Sequence, residues 1–217
     1  MPDLDPDRTL ALSYVGARHR PALEALWRLD LALGAVLAGG RDPMLSRIKL
    51  VWWRDALEAL DLKPAPAEPV LQAIAVAVLP LGVTGAELSA MEEGWAVLLS
   101  DGPLTAEDLD TYAAARGATL FRLSARLLGG RESLVGVAGE AWALADLARH
   151  SNEKDADAAL ARLRTLPTPP RLPGRLRPLG MLAALARRDA EPNRPRGEPQ
   201  GSPGRVWRML RYRLTGL

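Results

Sequence analysis

The stretch RIKLVWWRDALEAL, residues 47–60, places two tryptophans side by side in a segment that reads as helix. Adjacent helical residues point about 100° apart, so Trp52 and Trp53 cannot share one narrow seam. Projected from Leu50, the residues Trp52, Trp53, Ala56, Leu57, Ala59 and Leu60 span half the circumference, and Arg54, Asp55, Glu58 and Asp61 fill the other side. Such an arc exceeds the apolar stripe of an ordinary surface helix. The helix is therefore expected to pack against at least two neighbours inside a multi-helix body.

The remaining sequence supports that fold class. Hydrophobic residues make up 48% of the 217 positions, dominated by Ala and Leu, with a single Phe. Scarce β-branched and aromatic residues favour helix over strand, and no run shows strand alternation. A length of 217 residues suits one domain, or a domain with a tail. The absence of cysteine excludes a disulfide framework, a thiolate metal site and a Cys nucleophile. His19 and His150 are the only histidines and lie far apart, which argues against a His-based metal site. The acidic start MPDLDPDRTL lacks the apolar core of a signal peptide. The longest apolar stretch, AIAVAVLPLGV (73–83), is too short to span a bilayer and contains Pro80. A cytoplasmic protein is expected.

Cap signals divide the chain. Helices are expected over about Asp7–Val15, from Arg20-Pro21 to Ala38, and from the Asp42-Pro43 cap to Leu60. KPAPAEP (63–69) reads as a linker before a short helix to Leu79. Thr84 caps a helix to Leu99. Thr105 and Asp108 form a capping-box pattern opening a helix to Leu128, stopped by Gly129-Gly130. Further helices cover Ser133–His150 and Asp155–Leu166. The texture then changes. PTPPRLPGRLRP (167–178) is Pro-rich and basic, a short helix follows over Leu179–Asp189, and EPNRPRGEPQGSPG (191–204) reads as loose before a final helix. Residues 1–166 are expected to form an all-α domain, and 167–217 a basic Pro/Gly-rich arm with two short helices.

Net charge is asymmetric: −8 over residues 1–110 and +10 over 111–217, and 25 of the 28 basic residues are Arg. The last helix projects Arg205, Arg208, Arg211 and Tyr212 to one side and Val206, Trp207, Met209, Leu210 and Leu214 to the other, with Arg213 among them. Its four arginines are candidates for binding at a surface. A basic amphipathic helix of this kind fits peripheral contact with an anionic membrane, a protein partner, or docking on the body itself. Nucleic acid is not expected, because the basic set lacks a recognisable binding fold.

Four pieces, taken in order, resemble the squalene/phytoene synthase family: RPALEALWRLDLAL (20–33), PMLSRIKLVWWRDALEAL (43–60), LTAEDLDTYAAARGATLFRL (104–123) and AGEAWALADLAR (138–149). The resemblance implies an isoprenoid synthase-like helical bundle around a central cavity. Trp27, Tyr112, Gly117 and Phe121 are the residues it implies as cavity lining. Active members join two prenyl diphosphates head to head, using Mg²⁺ held by two acidic motifs; Mg²⁺ requires oxygen ligands, and i,i+4 spacing puts both carboxylates of a motif on one helix face.

Both motifs are broken here. Aligned through Trp27, the aspartates of the first motif fall at Gly34 and Ala38. The second, aligned through Arg149, reads Asp146, Arg149, His150, Glu153 and Lys154, so both of its aspartates are replaced. Asp30, Asp146 and Glu153 are the remaining metal candidates. The family has a non-catalytic branch that keeps the RLxWWRDAL and Tyr-Ala-x-x-x-Gly-x-Leu-Phe-Arg-Leu pieces without the aspartates. It includes a mitochondrial respiratory complex I assembly factor. The resemblance to that branch implies a non-catalytic protein without a cofactor, which binds a protein partner or lipid. The alternative is a divergent prenyl transferase using Mg²⁺. A third reading is a scaffold whose cavity is filled by side chains.

Overall fold

The structure, a computed structural model, describes residues 3–40, 42–100, 102–192 and 198–217. Helix starts fall close to their sequence signals because caps are local chemistry. Asp5 accepts the Arg8 N–H at 2.9 Å and opens α1 (Pro6–Ser13). Pro21 begins α2 (Arg20–Ala38), and Asp42 caps α3 (Pro43–Ala59). Glu68 caps α4 (Pro69–Ala77) through the Leu71 N–H at 2.7 Å. Thr84 and Glu87 form a full capping box on α5 (Gly85–Ser89), whose first N–H groups also donate to Asp61 at the end of α3. Thr105 and Asp108 do the same for α7 (Ala106–Thr111), so Asp serves where Glu or Gln is usual.

Two long expected helices are interrupted. The 84–99 segment divides into α5, α6 (Met91–Ala96) and a 3₁₀ turn (Val97–Leu99). The 105–128 segment runs as α7, a π-helical stretch (Tyr112–Ala118) and α8 (Thr119–Leu127). Then come α9 (Gly136–His150), α10 (Glu153–Thr165), α11 (Arg177–Asp189) and α12 (Pro203–Thr215). No strand occurs among the described residues. The fold is all-α, as the sequence implied.

The π stretch and α9 lie at the centre. They cross at Gly117 and Gly139, where a Cβ on Gly117 would sit 2.4 Å from the Gly139 carbonyl oxygen and one on Gly139 2.2 Å from that of Gly117. Only glycine permits this backbone-to-backbone approach. On the other side, Gly94 of α6 meets the backbone of Arg116. The π stretch is thus clamped between α6 and α9, and α2, α8 and α11 complete the surround.

The helix α3 packs against α2, α5 and α6, the several neighbours that its wide apolar arc implied. The helix α3 buries Trp53, 8% exposed, with Leu50 and Leu57, yet Trp52 is 47% exposed. Met44, Leu45 and Ile48 are also open to solvent, so one side of the wide apolar arc has no neighbour. The segment after residue 166 carries two helices, α11 and α12, and is docked on the body. Leu172, Leu176, Leu179 and Leu182 share one core with residues of the first 166, and α11 packs on both α1 and α9. The break at 166 is a change of composition, not of packing. The loose reading of 191–204 falls partly on residues 193–197, outside the described residues.

Burial separates the two tryptophans energetically. Trp53→Ala is expected to lower the unfolding free energy by about 3–5 kcal/mol, and Trp52→Ala by far less, in urea denaturation of the two variants. Gly139→Val is expected to cost about 3 kcal/mol in the same assay, because its side chain has no room to move away from backbone.

Candidate functional site

A cleft of about 510 Å³ opens between the second half of α2, α6, the π stretch and the end of α9. Its walls are apolar: Leu31, Gly34, Ala35, Leu37 and Ala38 from α2, Trp95 and Leu98 from the α6 region, and Leu147. Tyr112, Arg116, Asp146, His150 and Arg8 supply its polar groups together with Asp3, Asp5, Ser151 and Gln200 at one end of the lining. Gly34 and Ala38, where the resemblance puts the first pair of metal-binding aspartates, therefore do line the cleft. So do Asp146 and His150 from the second motif.

The polar groups are organised around Asp30, which is 0% exposed. Arg116 approaches it bidentately, Nε to Oδ1 at 2.7 Å and Nη2 to Oδ2 at 2.9 Å. Arg8 donates Nη2 to Oδ2 at 3.0 Å. The remaining arm of Arg116, Nη1, pairs with Asp146 Oδ2 at 2.7 Å and donates to the Tyr112 hydroxyl. The guanidinium also lies over the Trp95 ring, 4.0 Å from its centroid, and over that of Trp142 at 4.7 Å. A planar cation with a donor fork suits both roles.

The π stretch makes this possible. It adds a residue to the turn between Tyr112 and Arg116 and directs both inward, beneath Trp95. Trp95 in turn depends on Gly34: a Cβ there would lie 2.8 Å from the indole ring. The space an aspartate would need at position 34 is occupied by an indole stacked on a buried arginine.

Titration follows from these contacts. Burial pushes the Asp146 carboxyl up, and the charges of Arg116, Arg8 and His150 more than reverse that, leaving it below the usual carboxylate value. Tyr112 is raised by burial and stays a neutral phenol. Arg116 remains charged, because Asp30, Tyr112 and Asp146 outweigh the burial that disfavours its charge.

The residues present do not fit a Mg²⁺ cluster. Gly34 and Ala38 have no donor oxygens. Both oxygens of Asp30 are taken by guanidinium groups, and Asp146 faces Arg116. Glu153 begins α10 and does not line the cleft. Among the described residues, no group of three or more His, Asp or Glu side chains is arranged to hold a metal.

The other expected positions divide. Of the four cavity candidates only Tyr112 lines the cleft. Trp27 is buried and donates its Nε1–H to Ser124 Oγ at 3.2 Å. Phe121 packs on Trp142, and Gly117 is spent on the helix crossing. Of the four arginines assigned to a surface, Arg205 is buried and pairs with Asp7 at 2.8 Å and Asp189 at 2.6 Å. Its helix α12 docks through Arg205, Met209 and Tyr212, a face that takes residues from both sides of the amphipathic projection and leaves Trp207 and Leu214 outside. Arg208 and Arg213 are half-buried and Arg211 is exposed. Arg149 is also engaged internally, with Asp189 and the Glu198 carbonyl oxygen.

Sequence reasoning missed Arg8, Arg116 and Trp95. Arg116 lies within the quoted YAAARG stretch, and an arginine on the inner face of a helix opposite an orphan aspartate was the available signal.

The sequence profile of squalene/phytoene synthase matches residues 2–168. No curated protein and no solved structure matches the chain.

Asp30→Asn removes the carboxylate that Arg8 and Arg116 share, leaving each buried arginine with one carboxylate, Asp5 and Asp146 respectively, and is expected to cost about 3 kcal/mol in chemical denaturation. Asp146 predicts a pH dependence. Its folded pKa is depressed, so its stabilising contribution is present above the unfolded value of about 3.9 and is lost as pH falls through the folded value. The stability gap between wild type and Asp146→Asn should therefore be full at neutral pH and shrink below about pH 4.

Proposed function

The chain belongs to the squalene/phytoene synthase family, and on that premise we propose that it is a non-catalytic member, a binding protein serving as an assembly factor for a respiratory complex. One observation carries the non-catalytic reading: Arg116 with Arg8 supplies the positive charge that Asp30 and Asp146 face. A guanidinium neutralises those carboxylates as a metal would, but it cannot be exchanged or shared with a substrate diphosphate in the same way.

What the cleft retains is space and an apolar wall. A volume of about 510 Å³ lined by Leu31, Leu37, Leu98 and Leu147 suits an apolar molecule with a small polar end near Tyr112 and His150. The binding partner in this reading is a lipid in the cleft or a protein on the surface. The open side of α3, with Met44, Leu45, Ile48 and Trp52 adjacent on one helix, supports a protein partner, since monomers seldom leave such a stripe uncovered. The assembly role itself rests on the resemblance to the branch that has lost the aspartates. No helix among the described residues is long and apolar enough to cross a membrane. Action from the cytoplasm, at the membrane periphery, fits this reading.

Calorimetry with farnesyl and geranylgeranyl diphosphate, with and without Mg²⁺, tests the proposal. The expected result is no Mg²⁺-dependent binding. Tight Mg²⁺-dependent binding with release of inorganic diphosphate would overturn it in favour of a divergent prenyl transferase. Asp30, Asp146 and Glu153 would then be the first residues to substitute.

A further inference from the structure

Positive charge without matching acid gathers at a second cavity, which shares no lining residue with the cleft. It measures about 170 Å³ and lies between the Pro-rich segment 168–172, α11 and the end of α12. By the same measure a single water needs about 15 Å³. Arg171, Arg187 and Arg208 line it, with Tyr212 and Leu217, and no Asp or Glu does.

The nearby acids Asp189 and Glu198 are engaged elsewhere, with Arg149, Arg188 and Arg205. Among the described residues no carboxylate pairs with Arg171, Arg187 or Arg208. Arg187 spends its terminal nitrogens on the carbonyl oxygens of Leu166 and Pro167. Its Nε and that of Arg208 are buried without a hydrogen-bond partner. Burial lowers the pKa of the Arg187 guanidinium, with no neighbouring carboxylate opposing it. Uncompensated burial of cations is unfavourable unless an anion joins them.

Tyr212 completes the arrangement. Burial raises its phenol, against the Leu172 N–H and the charges of Arg177, Arg171 and Arg208. Its ring lies on Gly180, where a Cβ would be 2.1 Å away, so α11 fixes its position.

We propose that this cavity binds a phosphate-type anion, held by Arg171 and Arg208, with the Nε–H of Arg187 and the Tyr212 hydroxyl as further donors. Guanidinium forks match phosphate oxygens, and a phosphomonoester carries close to two charges for the three cations. The same chemistry could come from a soluble phosphate or from the headgroup of an anionic lipid. Leu217, 65% exposed at the rim, gives the second source an apolar neighbour.

Two measurements on the full chain test this. Titration calorimetry with inorganic phosphate, against chloride at equal ionic strength, reads the soluble source. Flotation with phosphatidylcholine vesicles, with and without phosphatidic acid, reads the lipid source. R171Q and R208Q, checked for folding by circular dichroism, should each weaken binding about tenfold or more. R131Q removes an exposed arginine outside the cavity and outside α12 and should leave binding near wild type. Phosphate binding alone identifies a soluble ligand, and flotation lost only in R171Q and R208Q identifies a headgroup; both support the site. Absence of both signals in the wild type, or equal loss in all three variants, would overturn it.

Discussion

The pairing of Asp30 with Arg116 is the interaction on which the arrangement of this molecule depends. A buried ion pair contributes little net stability, because desolvation offsets most of the attraction, but a buried charge left alone is severely unfavourable. The pair therefore acts less as glue than as a condition. Asp30 comes from α2, Arg116 from the π stretch, Arg8 from α1 and Asp146 from α9, and none can drift without stranding another. The network extends outward. Asp5 holds Arg8, and Asp7, next along α1, holds Arg205 of α12, which shares Asp189 with Arg149 of α9. Residues 198 positions apart are joined in this way.

Glycine is what lets those charges meet. Gly117 and Gly139 bring the π stretch and α9 into backbone contact, Gly94 admits α6 on the other side, and Gly34 admits the indole of Trp95. Each removes a side chain where two elements must approach closely, and together they set Arg116 among Trp95, Tyr112 and Trp142. The cation is then shielded by aromatic faces as well as neutralised by carboxylates. The polar end of the cleft is thus built from interactions internal to the protein.

Much of the fold was legible because it was local. Asp42-Pro43, Thr84-Glu87 and Thr105-Asp108 announce helix starts within four residues, and the structure uses all of them. The π stretch was not legible, since a one-residue widening of a turn leaves no mark in a 3.6-residue pattern. Nor was the docking face of α12. Periodicity grouped Trp207, Met209 and Leu214 on one apolar side, but the buried partners of Arg205 lie in α1 and α11, and a long-range ion pair has no periodic signature. Trp52 failed for the complementary reason: an apolar arc says that burial would be favourable, not that a neighbour exists within one chain. At the site, Asp146, Gly34 and Ala38 were found through the resemblance, whereas Arg8 and Arg116 required three dimensions.

The contacts also show why the poor fit of these residues to a Mg²⁺ cluster involves more than the four missing aspartates. An aspartate at position 34 meets Trp95; moving Trp95 uncovers Arg116; and removing Arg116 leaves Asp30 and Asp146 facing each other with only Arg8 between the former and solvent-excluded isolation. Each single reversal is worse than the present state, because it strands a charge or overfills a contact before any metal site exists. The arrangement is therefore self-consistent as a set. What the arginine-filled form offers is an apolar cleft, an uncovered face of α3, and charge gathered elsewhere on the molecule.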